Sequence, residues 1–478
     1  MKKKLMTVKY LWISVFCLFM NHTLLAQNFF QKTFGDSTIT EQGKLVHQTP
    51  DGTIYYFGYS LEGITNTVEI TMHKLTSNGD IISKTVFSDD NGSEYALSMV
   101  YNNGVFIIVG EQHIIGTTNI DGLIMMVDTL GQILNYQIIG ESTRTESYHG
   151  ITKSNDGGYI VCGFVSGASG SGNDFLTVKF NVDLTIAWSS IEGTVLNETG
   201  MKSIELPNGN IITTGDQQQF LGNYNVYCQI FDAGGNFLYS KTIVEPYNGG
   251  SKTAMLDSNN DILILGEMST PTSFNFDAYL IKLDKNVNTI WTKYLTNNSG
   301  GDAGFSIIEP NAGDYVICGY GENPVTNDQD LMLLSTDTSG NVIERKYYGN
   351  SSPDIAYMVY PSVNGGFLLS GSVHVGVDAQ YFLIYDELEV AVSTQESKVF
   401  EENFTIFPNP LTQKLLQFSQ PIEQTTLSIF NQNGQLVERQ KIEKRTTEYT
   451  IQSTLSSGNY FIHFEFENHT KTVQIIVP

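Results

Sequence analysis

Histidines, carboxylates and cysteines are the side chains of this 478-residue chain that could carry chemistry. Between residues 27 and 388 the histidines are His47, His73, His113, His149 and His374. No pair of them has the HExxH spacing or another compact spacing that is typical of zinc ligands. We therefore predict no metal site and interpret these histidines as surface or packing residues.

A carboxylate or carboxamide also recurs along the chain, seven or eight residues before a polar turn residue. The copies are Glu69, Asp121, Asp174, Asn225, Asp277, Asp330 and Asp378. A ring of acidic residues could hold metal ions, but the position recurs throughout the chain and one copy is an asparagine. We therefore predict a structural role, in which each side chain accepts hydrogen bonds from nearby backbone N–H groups and fixes the loop that leads into a strand.

Enzyme motifs are sparse. Residues 154–158, S-N-D-G-G, resemble part of the Asp-box motif of sialidases, but the match occurs in one repeat only. Sialidases need several arginines to hold a carboxylate, whereas residues 27–388 contain Arg144 and Arg345, in separate repeats. The chain has no G-x-S-x-G motif and no phosphate-binding loop that leads into a helix. We therefore predict no catalytic residue and no cofactor, although carboxylate pairs suited to glycosidases or lyases stay compatible with the sequence.

The framework that must position all these side chains is marked by a repeated sequence pattern. An aliphatic or aromatic run that ends in glycine occurs seven times. The final glycines are Gly58, Gly110, Gly163, Gly215, Gly266, Gly319 and Gly371. Successive copies are 51 to 53 residues apart, which indicates one supersecondary unit repeated seven times. Each copy contains four short β-rich runs separated by turn residues, and four strands in about fifty residues are typical of one propeller blade.

The seventh repeat lacks a fourth strand, and the other end of the chain can supply it. No segment after residues 381–386 resembles the fourth strand of the sixth repeat, at 344–349. Residues 29–35, F-F-Q-K-T-F-G, do resemble that strand and precede the first repeat. We therefore predict an all-β fold in which a seven-bladed β-propeller, residues 27–388, is closed by an N-terminal strand.

The start of the chain and its charge indicate an exported protein. Residues 1–26 contain four lysines, an apolar run at 11–20 and small residues up to Ala26, which is typical of a secretory signal peptide. No later stretch is apolar for about eighteen residues, so we predict no transmembrane segment. The rest of the chain has 22 basic and 50 acidic residues, a formal charge of −28, which disfavours nucleic acid and anionic lipid as partners.

Two residue types mark equivalent places in different repeats. Cys162 and Cys318 occupy the same place in the third and sixth repeats. In a closed ring they lie too far apart for a disulfide, so we predict that they are buried small hydrophobic residues. Trp188 and Trp291 each follow a repeat glycine by 25 residues, which predicts a packing role.

The last part of the chain has a separate strand pattern. F-P-N-P at 407–410, N-G-Q-L-V at 433–437 and S-G-N-Y-F at 457–461 precede a basic and apolar ending. These motifs, in this order, resemble the type A C-terminal sorting domain of the type IX secretion system of Bacteroidota. We therefore predict a small Ig-like β-sandwich at 404–478, which follows a polar linker at 389–403.

The resemblance to this sorting domain implies a route of export. It implies a Sec signal peptide and recognition of the C-terminal domain by the type IX secretion machinery, which carries the protein across the outer membrane. It also implies that a surface sortase removes the domain, with release of the protein or attachment to a surface lipopolysaccharide. The protein is thus expected to be secreted or held at the outer cell surface.

Regular repeats, export features and the lack of a catalytic constellation favour a binding function. We predict a propeller that presents loops on one face to a protein or glycan, with the ligand itself unknown. The alternatives are a secreted carbohydrate-active enzyme with its site at the mouth of the central channel, and a structural role in a surface assembly. The loops that vary most between repeats are 61–68, 112–120, 165–173, 269–276 and 321–329.

Overall fold

The computed structural model describes an all-β protein. It describes residues 29–477 apart from 36–38, 63–66, 89–91, 168–171, 220–222, 245–247, 270–275, 296–299, 312, 351, 364, 376–377, 389–405, 408–413, 423–424, 432–435, 443 and 466–469. All regular structure in these residues is β-strand, from β1 to β35. The chain divides into two compact units, Met1–Ala391 and Val392–Pro478. The predicted signal peptide at 1–26 and the predicted linker at 389–403 lie outside the described residues.

The first unit contains seven antiparallel sheets of four strands each, which we call blades 1 to 7. The first strand of the described residues is β1 (Phe30–Phe34). Blade 1 contains β2 (Glu41–Gln48), β3 (Ile54–Glu62), β4 (Thr67–Leu75) and β5 (Ile81–Phe87). Blade 2 contains β6 (Gly92–Asn102), β7 (Val105–Ile114), β8 (Ile120–Asp128) and β9 (Ile133–Ile139). Blade 3 contains β10 (Glu146–Lys153), β11 (Tyr159–Ser166), β12 (Asn173–Phe180) and β13 (Ile186–Glu192).

The other four blades repeat this order. Blade 4 contains β14 (Glu198–Glu205), β15 (Ile211–Gln218), β16 (Tyr224–Phe231) and β17 (Phe237–Ile243). Blade 5 contains β18 (Asn248–Leu256), β19 (Ile262–Ser269), β20 (Phe276–Leu283) and β21 (Thr289–Tyr294). Blade 6 contains β22 (Ala303–Asn311), β23 (Asp314–Glu322), β24 (Gln329–Thr336) and β25 (Val342–Tyr348). Blade 7 contains β26 (Ile355–Pro361), β27 (Phe367–Val375), β28 (Asp378–Asp386) and, as its fourth strand, β1.

The blades follow one another in a cycle. The first strand of each blade packs against the first strand of the next, and β26 of blade 7 packs against β2 of blade 1. The hydrophobic core lies between neighbouring blades; one cluster, for example, joins Leu45 and Phe57 of blade 1 to Phe106 and Leu123 of blade 2. This arrangement of seven sheets is consistent with a β-propeller.

The N-terminal strand completes the sheet of the last repeat. β1 pairs antiparallel with β28, so that Phe30 lies opposite Tyr385 and Phe34 opposite Tyr381. The ring of Phe34 lies 5.4 Å from that of Tyr381 and 5.1 Å from that of Tyr56 in blade 1. The start of the described chain is therefore tied both to the last blade and to the first.

Each repeat glycine lies beside a bulge in the first strand of its blade. In every blade the pairing of the first two strands skips one residue next to this glycine. A Cβ atom at Gly163 would lie 1.8 Å from the carbonyl oxygen of Ser147, and the corresponding distance is 1.8 to 2.3 Å across the seven glycines. The backbone approach thus leaves no space for a side chain, which explains why glycine recurs at this position.

The second unit forms two further sheets. One contains β29 (Ile406–Phe407), β30 (Leu415–Ile422) and β33 (Thr446–Thr450). The other contains β31 (Thr425–Asn431), β32 (Leu436–Ile442), β34 (Gly458–Glu465) and β35 (Thr470–Val477), in the order β32-β31-β34-β35. Leu416 and Phe418 from the first sheet share a core with Leu427, Ile429 and Phe464 from the second, so the two sheets are sandwich-like.

The glycine beside the bulge can be tested by Gly163→Ala. Because the new Cβ would overlap the Ser147 carbonyl, we expect the free energy of unfolding to fall by about 1–3 kcal/mol or more. The measurement is urea unfolding of the full chain, followed by the fluorescence of Trp188 and Trp291. The control is Gly234→Ala, in a turn where the nearest heavy atom to a new Cβ is 3.3 Å away. Equal unfolding midpoints for the two variants would show that the close approach is absent.

Candidate functional site

The bulges single out one residue in each first strand. The seven bulge residues are Lys44, Leu97, His149, Met201, Lys252, Phe305 and Tyr357. A bulge re-aims a side chain away from the regular ladder. All seven side chains are partly exposed, whereas the second strands that pair with them are mostly buried. The repeated unit therefore presents one solvent-accessible side chain per blade from the innermost strand.

The residue after each repeat glycine lies beside the bulge residue. These residues are Tyr59, Glu111, Phe164, Asp216, Glu267, Tyr320 and Ser372. In blade 5 the Nζ of Lys252 is 2.7 Å from Oε1 of Glu267, and in blade 3 the rings of His149 and Phe164 are 5.5 Å apart. We call the seven bulge residues and the seven residues after the glycines the axial set.

Aromatic side chains of the axial set, together with the nearby Tyr95, come from four blades. The Nζ of Lys44 lies 3.3 Å from the ring centroid of Tyr357, and the rings of Tyr357 and Phe305 are 5.7 Å apart. On the other side of Lys44, the ring of Tyr59 is 5.0 Å from that of Tyr95 in blade 2. Blades 6, 7, 1 and 2 thus contribute partly exposed aromatic rings on two sides of Lys44, which we call the aromatic sector.

Lys44 lies inside the aromatic sector without an acidic partner. Among the described residues it forms no ion pair, and its Nζ faces the rings of Tyr357 and Tyr59. Burial lowers the pKa of Lys44 to about 7, because the charged form loses its hydration there. The site therefore holds an amino group that has no acidic partner among the described residues.

Three members of the axial set carry a carboxyl group: Glu111, Asp216 and Glu267. The backbone N–H of Ser251 in blade 5 donates a hydrogen bond to Asp216 of blade 4. The carboxylate of Glu111 accepts hydrogen bonds from the Ser147 hydroxyl and pairs with Nε2 of His113 at 2.9 Å. Burial raises the pKa of Asp216 to about 7, so this carboxyl group retains its proton to an unusually high pH.

A second set of carboxylates is structural. Glu41, Glu94, Glu198, Asp302 and Asp354 lie within three residues of the start of a first strand, and all are buried. Asp354 accepts hydrogen bonds from the backbone N–H groups of residues 350 and 374, at 2.8 and 3.0 Å. These bonds fix the connection between one blade and the next. Each of the five carboxylates lies 16 or 17 residues before a repeat glycine, a spacing by which the sequence could have revealed them.

Two of the recurrent third-strand residues accept hydrogen bonds from side chains rather than from the backbone groups that the sequence predicts. Asn119 Nδ2 donates to Asp121 at 2.9 Å, and Asn323 Nδ2 donates to Asp330 at 2.7 Å. The predicted backbone bonds occur instead at the turn residues that end the third strands. Asp232, for example, accepts bonds from the N–H groups of residues 234 and 236, both at 2.9 Å.

The predicted histidines fall into two groups. His47 packs 4.1 Å from the ring of Tyr101, and His73 packs 4.8 Å from that of Tyr381, as the packing interpretation requires. His113 and His149 lie in or beside the axial set, which the sequence did not predict. Within the described residues no three His, Cys, Asp or Glu side chains come together in a way that could hold a metal ion.

The other predicted residues have packing or structural roles. Cys162, Cys228 and Cys318 are free and buried. Trp188 packs against Gly235 of blade 4, in agreement with its predicted role. Trp291 makes the equivalent contact with Gly340, and Arg345 forms an ion pair with the buried Asp302 at 3.0 Å.

The five variable loops all join a second strand to a third strand. Loops 112–120 and 321–329 are described in full, whereas 61–68, 165–173 and 269–276 lie partly outside the described residues. Antiparallel pairing places these loops at the end of each blade where the first strand begins. The bulge residues lie two to five residues after the first residue of that same strand, so the loops border the axial set.

An open cavity of about 730 Å³ lies elsewhere, between the hairpin turns of blades 4 and 5. Asn208, Asn259 and Asn286 are among the residues that line it. These residues take part in the hydrogen bonds of their own turns; the N–H of Asn286, for example, donates to Asp284 at 2.8 Å. The axial set, with the amino group of Lys44 and its exposed rings, is therefore the better candidate site.

Residues 405–478 match the family of secretion system C-terminal sorting domains. The match agrees with the resemblance seen at 404–478, and it indicates export by the type IX secretion system, to the cell surface or the medium. No helix in the described part of the chain is long and apolar enough to cross a membrane. No curated protein matches the chain.

Several solved structures are similar to the chain. PorZ, a surface component of the type IX secretion system of Porphyromonas gingivalis, is 12% identical with a TM-score of 0.40, over 89% of this chain and 58% of PorZ. An acylaminoacyl peptidase of Pyrococcus horikoshii is 11% identical with a TM-score of 0.44, over 79% of this chain and 57% of the peptidase. An endo-arabinase of Bacteroides thetaiotaomicron is 10% identical with a TM-score of 0.34, over 61% of this chain and 93% of the arabinase. The chain thus spans less than two thirds of the first two proteins, and these values support no inference about function.

The environment of Asp216 predicts a pH dependence of stability. The folded chain holds this proton up to about pH 7, whereas the group ordinarily loses it near 3.8. Stability should therefore decline as the pH rises from about 4 to about 7, because the unfolded chain releases the proton earlier. Asp216→Asn should remove this part of the decline, as measured by urea midpoints over that range. Parallel pH profiles for the variant and the unaltered protein would contradict the assigned environment.

Proposed function

We propose that this protein is a seven-bladed propeller that the type IX secretion system exports and that binds a glycan at its axial set. In this proposal residues 1–26 are the signal peptide and 27–388 form the propeller, closed by β1. Residues 389–403 are the linker, and 404–478 form an Ig-like sorting domain that the secretion machinery recognises. The protein then acts outside the cell or on its surface.

The aromatic sector carries the proposal. Its rings are partly exposed, come from four blades and stand next to carboxylates. Apolar ring faces combined with a few converging polar groups are typical of small-ligand sites. Sugars suit this arrangement, because their C–H faces can pack on the rings while Glu111, Asp216 and Glu267 accept hydrogen bonds from their hydroxyl groups.

A narrow ligand fits the axial set better than a protein surface does. A stable protein interface covers about 800 Å² on each partner, whereas the axial set contributes fourteen side chains, one pair from each blade. The variable loops that border it offer a broader surface, which would be the place for a protein partner. The proposed glycan site therefore uses the axial set, whereas a protein site would use the variable loops. Mutations in one group of residues can distinguish the two kinds of binding.

The carboxyl group of Asp216 favours a hydrolase as the second candidate function. A glycosidase pairs a carboxyl group that is protonated near neutral pH with an ionised one. Burial raises the pKa of Asp216, so that its carboxyl group stays protonated near neutral pH, and the nearby Glu267 raises this pKa further. In such an enzyme Asp216 would donate the proton to the leaving oxygen and Glu267 would be the ionised partner.

Binding can be tested with the full chain on a glycan array, followed by calorimetric titration of the glycans that are retained. Tyr357→Ala should weaken binding by at least about 5-fold, since truncation of an important aromatic contact costs more than about 1 kcal/mol. The control is Tyr239→Ala, because Tyr239 is 44% exposed and lines the cavity between blades 4 and 5. The control should bind as tightly as the unaltered protein.

The same experiment separates the alternatives. Retention that depends on Tyr239 but not on Tyr357 would move the site to the other cavity. Release of sugar ends that Asp216→Asn abolishes would establish the hydrolase in place of simple binding. Failure to retain any glycan would overturn the proposed function.

A further inference from the structure

We propose that the axial set selects acidic glycans, with Lys44 binding the carboxylate of a uronic acid unit. This inference rests on the proposed glycan-binding function and adds the chemical class of the ligand. It depends on the contrast between the two lysines that occupy bulge positions.

Lys44 and Lys252 stand at the same structural position in blades 1 and 5. Lys252 has an acidic partner, Glu267, at 2.7 Å. Lys44 has none among the described residues, because the residue after the glycine in blade 1 is Tyr59 and the neighbouring bulge residue is Tyr357. Two blades thus carry a lysine at the bulge position, and among the described residues only the lysine of blade 5 has an acidic partner.

An ammonium group in such a place is short of solvation. Removal from water disfavours its charged form. A cation–π contact with the face of Tyr357, at 3.3 Å, compensates for part of the lost hydration free energy. A carboxylate from a ligand would supply the missing opposite charge at short range. The protein as a whole is strongly acidic, so an anion would be held by this local contact rather than by a general positive field.

The charged and titratable groups around Lys44 are few. From β3 and β26 it faces Tyr59 and Tyr357, and burial raises the pKa of both tyrosines, so they stay neutral at physiological pH. Tyr95 on β6 touches Tyr59, and Glu111 on β7 affects Tyr59 electrostatically. The acidic residue on its own strand, Glu41, is 3.5 Å from Lys84.

A uronic acid fits these surroundings better than an acidic peptide does. The rings of Tyr59, Tyr95 and Phe305 extend the apolar surface on both sides of Lys44, as a chain of sugar rings requires. Glu111 adds a hydrogen-bond acceptor beside them, which can accept a bond from a sugar hydroxyl.

The test compares an oligomer of galacturonic acid with its methyl ester, titrated into the full chain by calorimetry. The two probes differ in charge and share the same rings and hydroxyl groups. We expect the acid to bind at least about 10-fold more tightly than the ester. Lys44→Met should abolish this difference, Lys44→Arg should keep it, and the control Lys285→Met, in an exposed turn of blade 5, should leave it unchanged.

The pH dependence provides a second readout. Because the pKa of Lys44 in the free protein is about 7, affinity for the acid should fall as the pH rises above that value and the site loses its charge. The Lys44→Arg variant stays protonated and should lose this decline. A merely structural role for Lys44 would change the affinity for acid and ester alike, without a change in the pH profile.

The outcomes separate this inference from the proposed function. Suppose that the acid and the ester bind equally tightly, and that Tyr357→Ala abolishes this binding whereas Lys44→Met does not. This result would overturn the proposed selectivity for acidic glycans but would support glycan binding. Binding of poly-glutamate that needs Lys44, without binding of the uronate, would overturn the assignment to glycans. Binding of neither galacturonate probe would overturn the inference, and failure on the whole glycan array would overturn the function as well.

Discussion

The structure depends on a close backbone contact that is repeated seven times. In each blade the bulged first strand brings a carbonyl oxygen to within 2.3 Å of where a Cβ atom would stand on the second strand. Glycine alone can occupy that place without a shift of the backbone. The contact fixes the position of the bulge, and the bulge in turn decides which side chain of the first strand leaves the ladder.

This constraint separates two kinds of position within the repeat. The glycine, the buried carboxylates near the start of the first strands and the turn residues after the third strands hold the backbone, so they vary little between blades. The bulge residue and the residue after the glycine, by contrast, change in chemistry from blade to blade. The same framework can therefore present lysine, histidine, aromatic and acidic side chains together around one axis.

The sequence predicts the framework better than the site. The spacing of Gly58 through Gly371 is enough to count the sheets, and residues 29–35 resemble the missing fourth strand, because both signals lie in local sequence patterns. The bulge is a property of strand register, which no single strand shows. From the sequence alone, Lys44 is therefore an ordinary polar residue of an alternating strand. Only the pairing of β2 with β3 shows that Lys44 is the bulge residue.

The carboxylates illustrate the same limit. The sequence predicts backbone hydrogen bonds to the third-strand residues, whereas such bonds occur at turn residues such as Asp232. Asp216 follows its glycine directly, yet its pKa reflects burial against blade 5, which only the packing of neighbouring blades reveals. The C-terminal domain, by contrast, was predictable because its motifs are linear.

An experimental density map of the full chain tests the central claim most directly. The account predicts seven sheets, each with a one-residue bulge opposite its glycine, and the side chains of Lys44 and Tyr357 in contact at the axis. Regular first strands, or bulge residues that point into the core between blades, would contradict it.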